Sequence, residues 1–445
     1  MRTVAANTAY AAPSRVVSDY FADPVRLFIV AVVVLTLGYG ARVDDSPLRL
    51  WFLEPIVGNA FSFIEVLLLV ILGLEMMRRI AIGDYWFERS PVSRSMTIVG
   101  IVCCLYPLLH MFAVEGGIRL PLELLYMPVF VATFFLYLFL FRRSEVPVMI
   151  WMIILAGSYR FVEGLAIWLK WGIAWGLLTS WRDGLLLAMM AVGGVVALLI
   201  RADGDETYAR IRRVLIWLLP IATIMFMASM RRSYMLGIII ALPVLILKLR
   251  GRERRAAIVL STLFVVASAA VVMTLGVDFG ERVTSSVSDP SKEGSSAYRL
   301  LELYNVSVMI MERPLTGWPM GTITRNATAI EFDNVSSLMP HNIYMYTLLR
   351  AGILGLLAWA AMFWAVLRMN LRTVAAARRP LDRFASLWLL ATTITVIVGG
   401  FTSPVVADRL QLFLAFPLVL GSFLPGAWPA RAARASQPGT DGQRN

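Results

Sequence analysis

The chain has two histidines among its 445 residues, and one of them, His341, has a setting that suits acid–base chemistry. Pro340 precedes it and Asn342 follows it, where a long apolar run begins. At that position the positive end of a helix dipole disfavours a protonated imidazole, so the ring stays neutral and can accept a proton. His341 is therefore a candidate general base, although a lone histidine is more often structural; His110, inside an apolar run, is interpreted as packing.

Arg231 and Arg232 are adjacent in a connection of only a few residues between two apolar runs. The planar fork of a guanidinium matches phosphate oxygens bidentately, so the pair could clamp an anion. Two solvated loop arginines are the alternative that the sequence leaves open.

Arg350 lies about two turns into an apolar run, which at the rise of an α-helix is ~13 Å below His341. An arginine at that depth needs either an acid on a neighbouring helix or an anionic substrate, and the sequence does not choose between them. Arg160 and Glu163, three residues apart on one helix face, are instead predicted to neutralise each other.

The composition identifies the elements that must hold these residues. Hydrophobic residues make up 59% of the chain and charged residues 16%, against about 45–50% and about 25% in soluble domains. These values exclude soluble, disordered and nucleic-acid-binding proteins. No metal-ligand cluster or nucleotide-binding motif occurs, so we expect neither a cofactor nor a metal. The sequence predicts an all-α, polytopic transmembrane helix bundle.

Apolar runs of a length that can span a bilayer occur about twelve times. The predicted spans are 25–41, 56–77, 95–114, 121–141, 147–169, 183–200, 214–230, 233–249, 256–276, 342–367, 384–401 and 409–425.

Charge sets the predicted orientation, because basic residues concentrate on the cytoplasmic side of a membrane. If both terminal segments, 1–24 and 426–445, are cytoplasmic, most of the 41 lysines and arginines lie on the cytoplasmic side. Spans one to nine occupy 25–276 and the last three 342–425, which leaves 277–341 as one long periplasmic loop. We predict an amphipathic helix over 297–311 within it, capped by Ser295 and Ser296.

Residues 340–355 resemble the signature of the bacterial O-antigen ligase/polymerase superfamily. In that family a His-Asn pair opens a helix after a long periplasmic loop, and a Gly-hydrophobic-hydrophobic-Gly element follows, here from Gly352 to Gly355. Two weaker matches accompany it. The segment from Arg299 to Gly321 looks like a family stretch that ends in Glu-x-Pro-x-x-Gly-x-Gly. Gly317 is its first glycine, and the spacing to the second, Gly321, is wider than in the family pattern. Arg232 with Ser233 looks like the family's Arg-Ser element.

The resemblance implies an inverting glycosyltransferase of the bacterial inner membrane whose active site faces the periplasm. The donor would be an undecaprenyl-diphosphate-linked glycan. The acceptor would be the lipid A core for a ligase, or another lipid-linked glycan for an O-antigen or exopolysaccharide polymerase. Membrane lipid is an expected partner and nucleic acid is not.

The resemblance also implies roles for individual residues. His341 would be the catalytic base, and four arginines would bind the diphosphate: Arg231, Arg232, Arg299 and Arg350. Structural support would come from Asn342, Gly317, Gly321 and Gly352. The periplasmic loop, 277–341, would then be the catalytic loop.

Two other functions remain open at this point. A transporter or flippase for lipid-linked sugars would place its site near the bilayer midplane, between broken helices and repeats. A peptidoglycan-type glycan polymerase would carry its signature acid in an outer loop. The grouping of arginines near the periplasmic side favours the transferase.

Overall fold

A computed structural model of the chain describes residues 24–38, 55–57, 61–62, 70, 73–78, 80–81, 90–113, 127–171, 184–228, 232–274, 294–319, 322, 340, 342–401 and 410–427. The α-helices of these ranges are α1 Pro24–Gly38, α2 Pro91–Gly100, α3 Tyr106–Ala113, α4 Met127–Leu140, α5 Val146–Trp171, α6 Gly184–Leu199, α7 Glu206–Ala228, α8 Arg232–Lys248, α9 Gly251–Thr274, α10 Gly294–Glu312, α11 Ile343–Ala376, α12 Pro380–Gly399 and α13 Leu410–Phe423.

Four shorter elements accompany these helices. A π-helical turn, Ile101–Leu105, joins α2 to α3, and a 3-10 turn, Arg143–Glu145, leads into α5. Two short strands, β1 Pro55–Val57 and β2 Phe61–Ser62, pair antiparallel.

The all-α prediction is confirmed for the described residues, apart from this strand pair. The strands occupy the start of the predicted span 56–77, so that span does not begin as a helix there. The sequence between the strands contains Gly58 and Asn59, residue types that favour turns over helix. Hydropathy alone could not reveal this, because it measures apolarity and not backbone preference.

Within the described residues, Arg143–Ala166, Ile343–Ala376 and Pro380–Gly399 are long and apolar enough to cross a membrane. Shorter apolar helices cover Pro91–Leu105, Met127–Leu140, Gly184–Leu199, Ser233–Lys248 and Leu414–Phe423. The full set of twelve spans, and the orientation derived from charge, stay predictions.

The helix α12 is the centre of the packing, and it contacts α6, α8 and α11. Small residues let the neighbouring backbones approach closely, as is usual between apolar helices. A Cβ at Gly237 of α8 would lie 2.7 Å from the Thr395 Cα of α12. On the α6 side, the Trp388 indole nitrogen donates a hydrogen bond to the Met189 carbonyl at 2.7 Å.

The ion pair predicted within α5 is confirmed. Arg160 and Glu163 are both buried, and the Arg160 guanidinium donates a hydrogen bond to the Glu163 carboxylate. Because each charge neutralises the other, α5 can keep both inside an apolar bundle.

The helix α10 contains the predicted segment 297–311 and exceeds it at both ends. Ser295 and Ser296, which were predicted as caps, lie inside its first turn. Tyr304 and Met311 of α10 are exposed, whereas the opposite face of the helix packs on α11.

Candidate functional site

The helix α11 begins at Ile343, and the preceding residue, Asn342, fixes that beginning. The Asn342 side-chain oxygen accepts hydrogen bonds from the backbone N–H of Tyr344 at 2.9 Å and of Met345 at 3.2 Å. These bonds satisfy donors that a helix leaves unpaired in its first turn. The Ile343 N–H donates to the Gly400 carbonyl at 3.0 Å and ties this turn to the end of α12.

The same end of α12 receives the first turn of α8. A Cβ at Gly399 would lie 2.6 Å from the Tyr234 ring of α8, and one at Gly400 would lie 2.8 Å from the Ile343 side chain. The adjacent glycines therefore place the N-terminal turns of α8 and α11 against the same end of α12. The partial positive charge of both N-termini faces the partial negative charge at the C-terminus of α12.

A break in α11 lies three turns further along the helix. Gly352 has φ 60° and ψ −161°, values that few side chains tolerate. The Leu349 carbonyl accepts a hydrogen bond from the Trp318 N–H at 2.6 Å, and the Ile353 N–H donates to the Pro314 carbonyl at 2.9 Å. A continuous helix would have a hydrogen bond from the Ile353 N–H to the Leu349 carbonyl. Here both groups bond instead to the backbone of residues 313–319, which we term the docking loop.

Two glycines let the docking loop approach α11 closely. Gly317, at φ 69°, packs on the Arg350–Ala351 peptide, where a Cβ would lie 2.6 Å from the Arg350 carbonyl carbon. Gly352 packs in turn on the Leu315–Thr316 peptide, and a Cβ there would collide with the Leu315 carbonyl. Each glycine therefore opens space for the backbone of the other segment.

Arg350 ties this junction together from inside. It is 1% exposed, and its guanidinium donates to the Pro319 carbonyl at 3.2 Å and to the Thr322 carbonyl at 2.8 Å. The guanidinium carbon also lies 5.9 Å from the centre of the Tyr346 ring. Backbone carbonyls are thus among the partners of Arg350. From the sequence we expected only an acid or an anionic substrate as its partner.

The buried face of α10 packs on the docking loop and on α11. Val306 and Met309 contact Trp318 and Leu349, and the Trp318 indole donates to the Met309 carbonyl at 2.9 Å. Glu302 and Asn305 are also buried on α10. Sequence reasoning missed both polar residues, although their spacing of three places them on one helix face, away from the exposed Met311.

The structure describes the predicted site residues to different extents. It places Asn342, Gly317, Gly352 and Arg350 at the start of α11 and at the junction with the docking loop. Arg232 opens α8 and Arg299 lies in the first half of α10, as backbone positions only. His341, Arg231 and Gly321 lie outside the described residues.

Within the described part of the chain, no group of three His, Cys, Asp or Glu side chains could hold a metal ion. What the described elements bring to the same end of α12 is the first turn of α8, which begins with Arg232, and the first turn of α11. An arginine at such a helix start is the kind of group that stabilises developing negative charge on a leaving group.

Residues 214–360 match the family described as O-antigen ligase. The matched segment runs from α7 to the middle of α11 and contains the docking loop, Gly352 and the positions of every predicted catalytic and diphosphate-binding residue. A comparison with curated proteins finds no match for the chain. The family match confirms the resemblance found in the sequence.

Proposed function

We propose that this chain belongs to the O-antigen ligase/polymerase superfamily and transfers an undecaprenyl-diphosphate-linked glycan to an acceptor sugar hydroxyl, with inversion at the anomeric carbon. The family match supports a membrane enzyme of the O-antigen ligase type that acts on lipid-linked glycan and lipid A core. Donor identity, the periplasmic location of the site and the inner-membrane setting are the finer parts of the proposal.

The observation that carries the proposal is that the first turns of α8 and α11 both pack on Gly399 and Gly400 at the end of α12. One helix begins with Arg232 and the other begins two residues after His341, so the candidate phosphate ligand and the candidate base are close in sequence to turns that pack on the same end of α12. Both segments lie within the part of the chain that matches the family.

The proposed reaction is a single displacement. The acceptor oxygen forms a bond to the anomeric carbon while the bond from that carbon to the diphosphate oxygen breaks. His341 accepts the hydroxyl proton as the oxygen attacks. The diphosphate leaves with the electron pair of the broken bond, and Arg231, Arg232 and Arg299 stabilise its charge. One displacement at the anomeric carbon inverts its configuration.

Arg350 has a different part in this proposal. Two of its guanidinium nitrogens hold the Pro319 and Thr322 carbonyls, so it positions the end of the docking loop. Gly317 and Gly352 allow the same contact, and Asn342 fixes the turn beside His341. We therefore assign these four residues to the support of the site.

The proposal further takes 277–341 as the catalytic loop, on the periplasmic side, between the spans of 25–276 and those of 342–425. The segments 1–24 and 426–445 would be cytoplasmic. A ligase and a polymerase would share this arrangement and differ in the acceptor.

The test is His341→Ala, expressed in a strain in which the wild-type copy has been deleted. We expect loss of mature surface polysaccharide on a gel, at a membrane protein level equal to the wild type. Lipid-linked polymer would accumulate if the enzyme is a ligase, and core capped by single repeats would accumulate if it is a polymerase. Normal polysaccharide in this variant would overturn the proposal.

The arginine roles need a matched control, and Arg378 supplies one. It is exposed after the end of α11, far along the chain from the predicted ligands. Arg232→Gln and Arg299→Gln should reduce transfer strongly, whereas Arg378→Gln should leave it unchanged.

A further inference from the structure

The connection between α8 and α9 carries a dense group of basic side chains that the proposed transfer does not use. Residues 248–255 contain five lysines and arginines and one acid. Four of the basic side chains, which we term the basic turn, are exposed around this connection: Lys248, Arg250, Arg252 and Arg255.

The one acid of this segment does not neutralise the basic turn. Glu253 is paired instead with Arg383 of α12, and the Nη2 atom of Arg383 lies 2.5 Å from its Oε2 atom. The fifth basic residue, Arg254, donates at 3.1 Å to three backbone carbonyls at the end of α8 and so caps that helix. Among the described residues, no ion pair involves a side chain of the basic turn. Its positive charges therefore face outward, where an anion can reach them.

The length of α8 places the basic turn near the level of lipid head groups. Arg232 begins the helix and Lys248 ends it, and no charged residue lies between them. At the rise of an α-helix its two ends are about 24 Å apart, close to the ~30 Å of a hydrocarbon core. In the orientation predicted from charge, this end of α8 is the cytoplasmic one.

Exposed apolar side chains flank the basic turn on both helices. Leu247, directly before Lys248, is 70% exposed, and Ile258 and Val259, about two turns into α9, are 47% and 57% exposed. In a membrane protein such side chains contact acyl chains, while long basic side chains beside them reach the head groups. A soluble anion would leave the apolar part of this surface unexplained.

We propose that the basic turn binds the head groups of anionic phospholipids. Its positive charge is complementary to the lipid phosphate, and the flanking apolar side chains would contact the acyl chains. Groups of roughly four to eight basic residues directly beside a membrane span attract anionic lipid in this way. Arg252 and Arg255, three residues apart on α9, share a helix face and would contact the same head group. This inference does not depend on the transferase reaction.

A second basic segment, at the start of α7, supplies a matched control. Arg201, Arg210 and Arg213 are exposed there as well. Three acids lie within the same segment, 201–213, and reduce its net positive charge. We therefore expect this segment to attract anionic lipid less than the basic turn does.

The test is native mass spectrometry of the full chain released from nanodiscs of equal parts phosphatidylglycerol and phosphatidylcholine. We expect the wild type to retain phosphatidylglycerol preferentially. Arg252→Gln and Arg255→Gln should each lower the ratio of the two retained lipids about fivefold, the effect of one basic group at an anionic surface. The triple variant with Lys248→Gln, Arg252→Gln and Arg255→Gln should lower it by more than about tenfold.

The control variant combines Arg201→Gln, Arg210→Gln and Arg213→Gln, which changes the net charge of the protein by the same amount. Its lipid ratio should stay close to that of the wild type. Equal phosphatidylglycerol retention by the two triple variants would overturn the inference, because the retained lipid would then not depend on the basic turn.

Two further measurements separate charge from folding and lipid from soluble anion. A variant with Lys248→Arg, Arg252→Lys and Arg255→Lys should keep most of the preference, because it keeps every charge. Inorganic phosphate, added in equimolar amount to phosphatidylglycerol, should not displace the retained lipid. Displacement by inorganic phosphate would assign the basic turn to a soluble anion and overturn the inference.

Discussion

At the scale of single residues, Arg350 lies inside a helix and is buried, as the sequence predicts, but its partners differ from those expected. Its position in α11 follows from helical rise alone. Its contacts do not, because Pro319 and Thr322 lie about 30 residues away along the chain. A carbonyl partner leaves no signature in residue type, whereas an acid or a phosphate site would.

Replacement of Arg350 by Met should destabilise the protein by several kcal/mol, since each buried carbonyl that loses its partner costs about 1–3 kcal/mol. Thermal unfolding in detergent, with Arg378→Met as the control, measures the loss. An unchanged unfolding temperature would show that other groups satisfy both carbonyls.

Hydrogen exchange gives a local measure of the same contact. In Arg350→Met we expect faster exchange at the Trp318 and Ile353 amides, which bond the docking loop to α11. Amides in α6, which Arg350 does not contact through these bonds, should keep their wild-type rates.

At the scale of elements, hydropathy predicted several helices to within a few residues: 147–169 against Val146–Trp171, and 183–200 against Gly184–Leu199. The helix that contains span 342–367 continues to Ala376, through turns that carry Arg368 and Arg372. Hydropathy also gave no sign of the break at Gly352, which depends on a loop that docks from elsewhere in the chain. Apolar length predicts where a helix can lie, and tertiary partners decide where it bends.

Gly352→Ala tests whether the docking loop needs the glycine for space. The new Cβ would collide with the Leu315 carbonyl at a position that already requires positive φ, so we expect a loss well above 1 kcal/mol and reduced transfer. Gly204→Ala is the matched control, because Gly204 has φ 87° but nothing within 4 Å of a Cβ.

The comparison of the two variants separates backbone strain from collision. Gly204→Ala reports the cost of positive φ alone, and the additional loss in Gly352→Ala reports the contact with Leu315. Equal destabilisation by both substitutions would mean that the loop can move aside freely.

At the scale of the whole molecule, α12 joins the two halves of the proposed site. Its C-terminal glycines receive the first turns of α8 and α11, while Gly237 brings α8 against Thr395. The sequence could indicate α8 and α11 as separate carriers of chemistry. It could not show that both helices pack on the end of α12, because hydropathy and charge do not predict which helices contact each other.

Gly237→Ala should therefore weaken folding and transfer together, because the added methyl group would push α8 away from Thr395 and shift the turn that begins with Arg232. Gly73→Ala is the control, since nothing lies within 4 Å of a Cβ at Gly73. Unfolding temperature and polysaccharide yield are the two measurements, and wild-type values of both in Gly237→Ala would contradict the packing of α8 on α12.

The central claim is glycosyl transfer with His341 as the base, and reconstitution tests it most directly. Purified protein in liposomes would receive an undecaprenyl-diphosphate-linked glycan with either lipid A core or a second lipid-linked glycan. We expect a product of inverted anomeric configuration and free undecaprenyl diphosphate from the wild type, and neither from a folded His341→Ala variant. Movement of the donor across the bilayer without any glycan product, or wild-type product formation by His341→Ala, would contradict the claim.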